Sequence, residues 1–315
     1  MTYNFDPEFV DALAQVPDLS IENVGVARAT LTAMAAHINS DIDLSGVDIG
    51  EHMIAGPTDA PLRVRLYTPK QRAAAVPGLL CIHSGGFVIG SLDTEHASLV
   101  ALCEVLGVVI ASVDYRLAPE HPYPAGLEDC YSALTWFSKS AESLGVDNNR
   151  IGVYGLSAGG GLSAALALLT RDRSGPKLCF QYLGVPELDD RLQTTSMRNF
   201  IDTPLWSRVH AELSWKYYLG DKTQPGAADV PIYAAPARAT DLRGLPPTYI
   251  VAAEFDPLRD ENIIYALNLL EAGVPTELHV FAGTFHGSQM FANAEVSKRQ
   301  LQEAIVVLQR GLRIV

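Results

Sequence analysis

The sequence predicts an α/β protein built on a mostly parallel sheet with helices on both faces, and three observations carry that expectation. From Gly78 onward, unbroken apolar runs of strand length alternate with stretches of helical spacing, the pattern of strands buried on both faces. Ahead of them, two short runs flank a Gly-Pro turn, and the second alternates apolar and charged residues, as an antiparallel hairpin at a sheet edge would. At 315 residues the chain accommodates one large domain, or one domain with an appended cap.

Taken in order, Asp6-Pro7-Glu8 reads as an N-cap, a proline at N1 and an acidic first turn. Phe9, Val10, Leu13 and Val16 follow as an apolar stripe, and a second helix is expected from about Ile21 to His37. The hairpin comprises Glu51–Ile54 and Leu62–Thr68 around Gly56-Pro57-Thr58-Asp59. Strands are then expected at Leu79–Ile82, Val108–Val113, Arg150–Tyr154, Leu178–Leu183, Pro247–Ala252 and Glu277–Phe281. Helices are expected at Ser98–Leu106, Asp129–Ser140, Ser163–Leu169, Asn262–Leu270 and Glu295–Leu312. Residues from about Glu187 to Pro236 interrupt the alternation, and Trp206, Val209, Leu213 and Tyr217 read there as one helical stripe.

Composition narrows the function. A formal net charge of −13 without any Lys/Arg-rich block argues against a nucleic-acid surface. The four cysteines, Cys81, Cys103, Cys130 and Cys179, lie far apart in apolar segments with neither metal-ligand nor C-x-x-C spacing. Free thiols in a reducing compartment are therefore expected, with no metal and no cofactor. The first residues lack a basic region followed by an apolar one, and no apolar run is long enough to span a bilayer. The expectation is a cytoplasmic protein without a membrane partner.

Function in such a sheet collects at the carboxyl ends of the strands. After Arg150–Tyr154 comes Gly155-Leu156-Ser157-Ala158-Gly159, a G-x-S-x-G between a strand and a helix. A serine on that sharp turn projects its Oγ from the sheet, and glycines two residues either side let strand and helix pass closely. After the strand near residue 250 come Glu254, Asp256 and Asp260, of which Asp256 has the loop position for an acid. Beyond it, His279 lies inside a strand and His286 in the following loop, so His286 is the expected base. Ser157, Asp256 and His286 thus occur in the order that an α/β-hydrolase triad requires. Gly85 and Gly86, in His83-Ser84-Gly85-Gly86-Phe87 after another strand, would present backbone N–H groups to a developing oxyanion, with Ala158 as third donor.

These motifs, with Tyr115-Arg116-Leu117-Ala118-Pro119-Glu120-His121-Pro122 and Asp256-Pro257-Leu258-Arg259-Asp260, resemble those of the hormone-sensitive-lipase-like bacterial carboxylesterases over nearly the whole chain. Pro186–Arg191 and Ser214–Gly220 further resemble the branch that contains bacterial heroin esterase, an enzyme that removes acetyl groups. The resemblance implies an α/β-hydrolase fold with an eight-stranded core at 49–186 and 237–315. It also implies a helical cap from residues 1–48 and the insertion 187–236. The implied activity is a serine carboxylesterase acting on small-molecule, short-chain acyl esters, with homodimerisation along the last strand and closing helix as the family's habit. Two residues depart from the pattern: Ser84 replaces the first glycine of the usual His-Gly-Gly-Gly, and Leu156 replaces the usual aspartate before the nucleophile.

Around this centre, His83 is expected to tether its loop, and Arg116 with Glu120 to form a buried ion pair beneath the oxyanion residues. Phe5, Phe9, Phe87, Leu156, Trp206 and Tyr217 are the pocket candidates. Two rival readings use the same fold: a non-catalytic small-molecule receptor, against which the retained triad argues, and an amidase.

Overall fold

The computed structural model describes residues 3–14, 16, 19–57 and 60–314. Eight strands form one sheet in the order β1-β2-β4-β3-β5-β6-β7-β8. They are β1 (Val47–Ala55), β2 (Pro61–Pro69), β3 (Val76–Ile82), β4 (Val109–Val113), β5 (Val146–Leu156), β6 (Phe180–Gly184), β7 (Thr248–Phe255) and β8 (Thr276–Phe285). β2 runs antiparallel to β1 and β4, and β3 to β8 are mutually parallel. All six strands expected after Gly78 are present, as is the edge hairpin, whose turn residues Thr58 and Asp59 lie outside the described residues.

The helices are α1 (Val10–Leu13), α2 (Val24–Asn39), α3 (His96–Leu106), α4 (Ala125–Lys139), α5 (Ala141–Leu144), α6 (Ala158–Asp172), α7 (Thr195–Asn199), α8 (Arg208–Leu219), α9 (Arg259–Glu271) and α10 (Glu295–Gly311). One core layer packs α3 and α10 against the sheet; on the opposite face α4, α6 and α9 do so. α6 is buried almost all round, from Ala158 to Thr170, which its run of glycines, alanines and leucines permits. β4 lies on one side of β3 and β5 on the other. The connections leaving β3 and β5 therefore diverge and open a crevice at the carboxyl ends of these strands.

Two local expectations fail. The first helix is only a 3₁₀ turn (Pro7–Phe9) continued by α1, and Val10 stays 60% exposed, so Phe9 alone is buried from the stripe. In the insertion, Ser207 and His210 make a capping box that starts α8 after Trp206. The buried face is then Ala211, Ser214, Trp215 and Tyr218, while Val209 faces solvent. Two helical stripes of similar apolarity compete in that sequence, and the one carrying Trp215 and Tyr218 stacks its tyrosine on Phe87.

Candidate active site

The site is built outward from Ser157, which joins β5 to α6 with φ 54° and ψ −123°, a conformation that only an over-determined turn sustains. The surroundings over-determine it. A Cβ on Gly155 would lie 2.1 Å from the Gly159 carbonyl oxygen, and one on Gly159 would lie 2.1 Å from the Ile82 carbonyl oxygen. Ser157 N–H donates to Gly184 O at 2.7 Å, and Gly161 N–H and Glu187 N–H both donate to Ser157 O. Gly159→Ala is accordingly expected to force α6 away from β3, destabilising the fold by about 2–3 kcal/mol. Thermal unfolding checks this, and a variant as stable as the parent would contradict it.

β7 and β8 carry the partners. Phe255 pairs with Phe285 as the last pair of their ladder, so the next residue of each strand, Asp256 and His286, emerges side by side. His286 Nδ1 lies 2.8 Å from Asp256 Oδ2, and His286 Nε2 lies 2.8 Å from Ser157 Oγ. Asp256 Oδ1 accepts from Leu258 N–H at 2.9 Å, which fixes the carboxylate plane. With a carboxylate as acceptor, Nδ1 carries the ring proton and Nε2 is free to accept from the serine hydroxyl. All three side chains are buried, Asp256 completely. The competing residues are engaged elsewhere: Glu254 accepts from Gly283 N–H, Asp260 from Ser196 N–H, and His279 faces Glu303.

Beyond β3, Gly85, Gly86 and Phe87 take φ of 123°, 56° and 62°. Val88 and Ile89 N–H both donate to Gly85 O, and a Cβ on Gly85 would strike the Ile89 carbonyl at 2.1 Å. The N–H groups of Gly85, Gly86 and Ala158 have no protein acceptor among the described residues, and Ala158, the first residue of α6, adds the positive end of the helix dipole. His83 tethers this loop, its Nδ1 bonding to Ser84 O at 2.8 Å while the ring stacks on Tyr115. Burial lowers the His83 pKa to about 4, so the ring is neutral and Nδ1–H donates. Ser84, the departure from the glycine pattern, is held by its N–H to the buried Glu95 carboxylate at 2.8 Å.

The expected Arg116–Glu120 pair does not form. Residues 114–124 make no helix, so an i,i+4 spacing does not bring the two together. Arg116 instead forks onto both oxygens of the buried Asp129 on α4. Glu120 meets Arg28 of α2, which also donates to Val88 O and Ala118 O and so stitches the glycine loop to the Pro119 segment. The Arg28 guanidinium lowers the Glu120 pKa to about 2.

Of the pocket candidates, Trp206 reaches the centre. Its ring leans on His286 at 5.7 Å, and its outer edge covers Gly86, where a Cβ would come within 2.4 Å. Tyr217 is half-buried in the same cluster. Phe9 is fully buried against Phe285 and Phe291, and Phe87 is buried against Trp215 and Tyr218. Leu156 packs on Gly184, where any Cβ would collide with it, and takes its place in the α3/α10 core layer. Phe5 stacks on Phe255 and Phe285, bracing the strand ends that carry Asp256 and His286. A hollow of about 660 Å³ lies elsewhere, at α9 and residues 237–243, and holds none of these residues. Among the described residues no cluster of His, Cys, Asp and Glu is arranged to hold a metal ion, and no helix is long and apolar enough to cross a membrane.

Comparison with known proteins agrees with this fold. A family described by the alpha/beta hydrolase fold matches residues 79–290. Carboxylesterase NlhH of Mycobacterium tuberculosis is 42% identical over 241 residues, 75% of this chain and 73% of the relative. Esterase LipI of the same organism is 36% identical over 317 residues, 96% and 95% of the two chains. The solved structure of a bacterial heroin esterase superposes with a TM-score of 0.96 at 49% identity, covering 98% of each chain.

Proposed function

The chain belongs to the hormone-sensitive-lipase-like carboxylesterases of the α/β-hydrolase fold, and on that premise we propose that it cleaves short-chain, acetyl-type esters through an acyl-enzyme on Ser157. It is a carboxylic-ester hydrolase, and its substrates are small-molecule esters. The observation that carries the mechanism is the unbroken hydrogen-bonded chain Asp256–His286–Ser157.

In this mechanism His286 Nε2 removes the hydroxyl proton as Ser157 Oγ attacks the ester carbonyl, and Asp256 stabilises the imidazolium that forms. The amides of Gly85, Gly86 and Ala158 receive the negative charge on the tetrahedral oxygen, where their uncommitted N–H groups are worth most. His286 then returns the proton to the leaving alcohol, and a water activated by the same ring releases the acid. Residues 1–48 and 187–236 act as the cap over a catalytic core of 49–186 and 237–315; Trp206, pressed against Gly86 and His286, is the cap residue that limits the acyl chain. The four free cysteines, three of them buried, fit a cytoplasmic setting.

The test is a series of p-nitrophenyl acetate, butanoate, octanoate and laurate. A fall in kcat/KM of at least about tenfold beyond the butanoate is expected, since one misfitting methylene in a tight apolar pocket already costs that much. Rates that stay level or rise to the laurate would rule out the short-chain assignment while leaving the esterase intact.

A further inference from the structure

The oxyanion loop and the nucleophile are linked by a carboxyl group for which the mechanism above has no use. Glu187 is completely buried, and neither of its carboxyl oxygens has a hydrogen-bond partner among the described residues. Its backbone is locked to the elbow: Glu187 N–H donates to Ser157 O at 3.1 Å, and its carbonyl is so close to Gly161 that a Cβ there would lie 2.1 Å away. The Ser214 hydroxyl of α8 approaches the carboxyl. That hydroxyl has already committed its proton, donating to Gly86 O at 3.0 Å. Towards Glu187 it therefore turns lone pairs, which repel a carboxylate and suit a carboxylic acid. An unpaired buried carboxylate would cost several kcal/mol, so the neutral acid is the form that fits both the burial and the neighbour.

We propose that Glu187 is a positioning residue whose neutral carboxyl leaves the Ser214 proton on the Gly86 carbonyl, fixing the oxyanion loop, and whose ionisation draws that proton away and releases the loop. The proposal rests on the ester-hydrolase mechanism set out above. Burial, reinforced by the Asp256 carboxylate, raises the Glu187 pKa to about 8; only a Ser214 hydroxyl turned off Gly86 O to donate to the ionised carboxylate opposes them. The titratable groups coupled to it are Asp256 at the end of β7, Tyr115 after β4, Tyr218 of α8 and Glu261 of α9. Burial pushes both tyrosines and Glu261 upward, which leaves the Asp256 carboxylate as the neighbour that opposes ionisation of Glu187. The sign follows: Glu187 is neutral below its raised pKa and the loop is held, whereas above it the group ionises and oxyanion stabilisation is lost.

The experiment is the kcat and KM of the full chain for phenyl acetate from pH 6 to 10, with Glu187→Gln, Glu187→Leu and Ser214→Ala beside the parent. The parent is expected to lose kcat, with KM little changed, as pH rises through about 8, because the oxyanion contacts exist only in the transition state. Glu187→Gln, uncharged at every pH and still able to donate, should lose that alkaline fall and keep more kcat than Glu187→Leu, expected to fall about tenfold. Ser214→Ala breaks the link while leaving Glu187 in place, so its kcat should be lower but level across the alkaline range. An alkaline fall that persists in Glu187→Gln or in Ser214→Ala, or a parent profile level to pH 10, would overturn the proposal. An active Ser157→Ala would instead overturn the mechanism on which it rests, so the two failures are distinguishable.

Discussion

Ser157→Ala is expected to lower kcat for phenyl acetate by roughly 10⁵- to 10⁶-fold, the scale on which a triad fails as a unit when its nucleophile is removed. The elbow should survive, because its strain is held by backbone contacts: Ser157 N–H on Gly184 O, and Gly161 and Glu187 N–H on Ser157 O. The hydroxyl itself contacts only His286 by hydrogen bond among the described residues. Thermal unfolding should therefore shift little, which separates loss of chemistry from loss of structure. A serine-directed organophosphate should add one adduct to the parent and none at this position in the variant, read by intact-mass and peptide spectra. Turnover by Ser157→Ala within about tenfold of the parent would remove Ser157 as the nucleophile. It would also remove the acyl-enzyme, since no second serine hydroxyl among the described residues is hydrogen-bonded to His286.

The same centre shows which features a sequence announces. Strand ends are legible because periodicity marks the strands and small or polar residues mark where they stop. β7 and β8 nevertheless run to Phe255 and Phe285, beyond the apolar runs that identify them, and that extension places Asp256 and His286 side by side. Ser157, Gly85, Gly86 and Ala158 follow from the same logic, each lying just past β3 or β5 at the crevice. What the sequence conceals are contacts between distant segments. Arg28 on Glu120, Arg116 on Asp129 and Glu95 on Ser84 N–H are choices among many charged residues, and no spacing marks them. Arg116 and Glu120 invited pairing by proximity, but their segment is not helical, and each turned to a helix packed beside it. Trp206 and Tyr217 lie in an insertion whose helix phase depends on where Ser207 caps α8, a decision of local hydrogen bonding. Glu187 was visible only as part of a motif. Its meaning lies in what surrounds it, and a buried carboxyl without a partner is recognisable only once the packing is known.

Leu156 illustrates the converse, a departure from the family pattern that the packing absorbs. The residue turns its side chain over Gly184, the one position on β6 without a Cβ to block it, and joins the α3/α10 core layer. A charged side chain there would face apolar neighbours, so the substitution for aspartate agrees with an apolar setting beside the elbow. Past the end of β6, Glu187 brings a buried carboxyl on a residue whose N–H donates to Ser157 O.

Asp256→Asn should then distinguish orientation from charge at the triad, with an expected loss of roughly 10⁴ in kcat at neutral pH, about 5.5 kcal/mol of transition-state stabilisation. The size and shape of the side chain are unchanged, and Leu258 N–H still requires an acceptor at the position of Oδ1. The asparagine oxygen satisfies it, which leaves the amide NH₂ facing His286 Nδ1. That nitrogen must now accept, so the ring proton moves to Nε2, the atom 2.8 Å from Ser157 Oγ. A protonated Nε2 cannot take the serine proton, and the base is disabled without any atom moving far. The fold and the KM for phenyl acetate should be nearly unaffected, since neither the pocket nor the oxyanion amides change. Reaction with the organophosphate should slow with kcat, because it needs the same deprotonation. A kcat within about tenfold of the parent would mean that His286 keeps its tautomer without the carboxylate, and that Asp256 serves chiefly as the cap of the turn leading to α9.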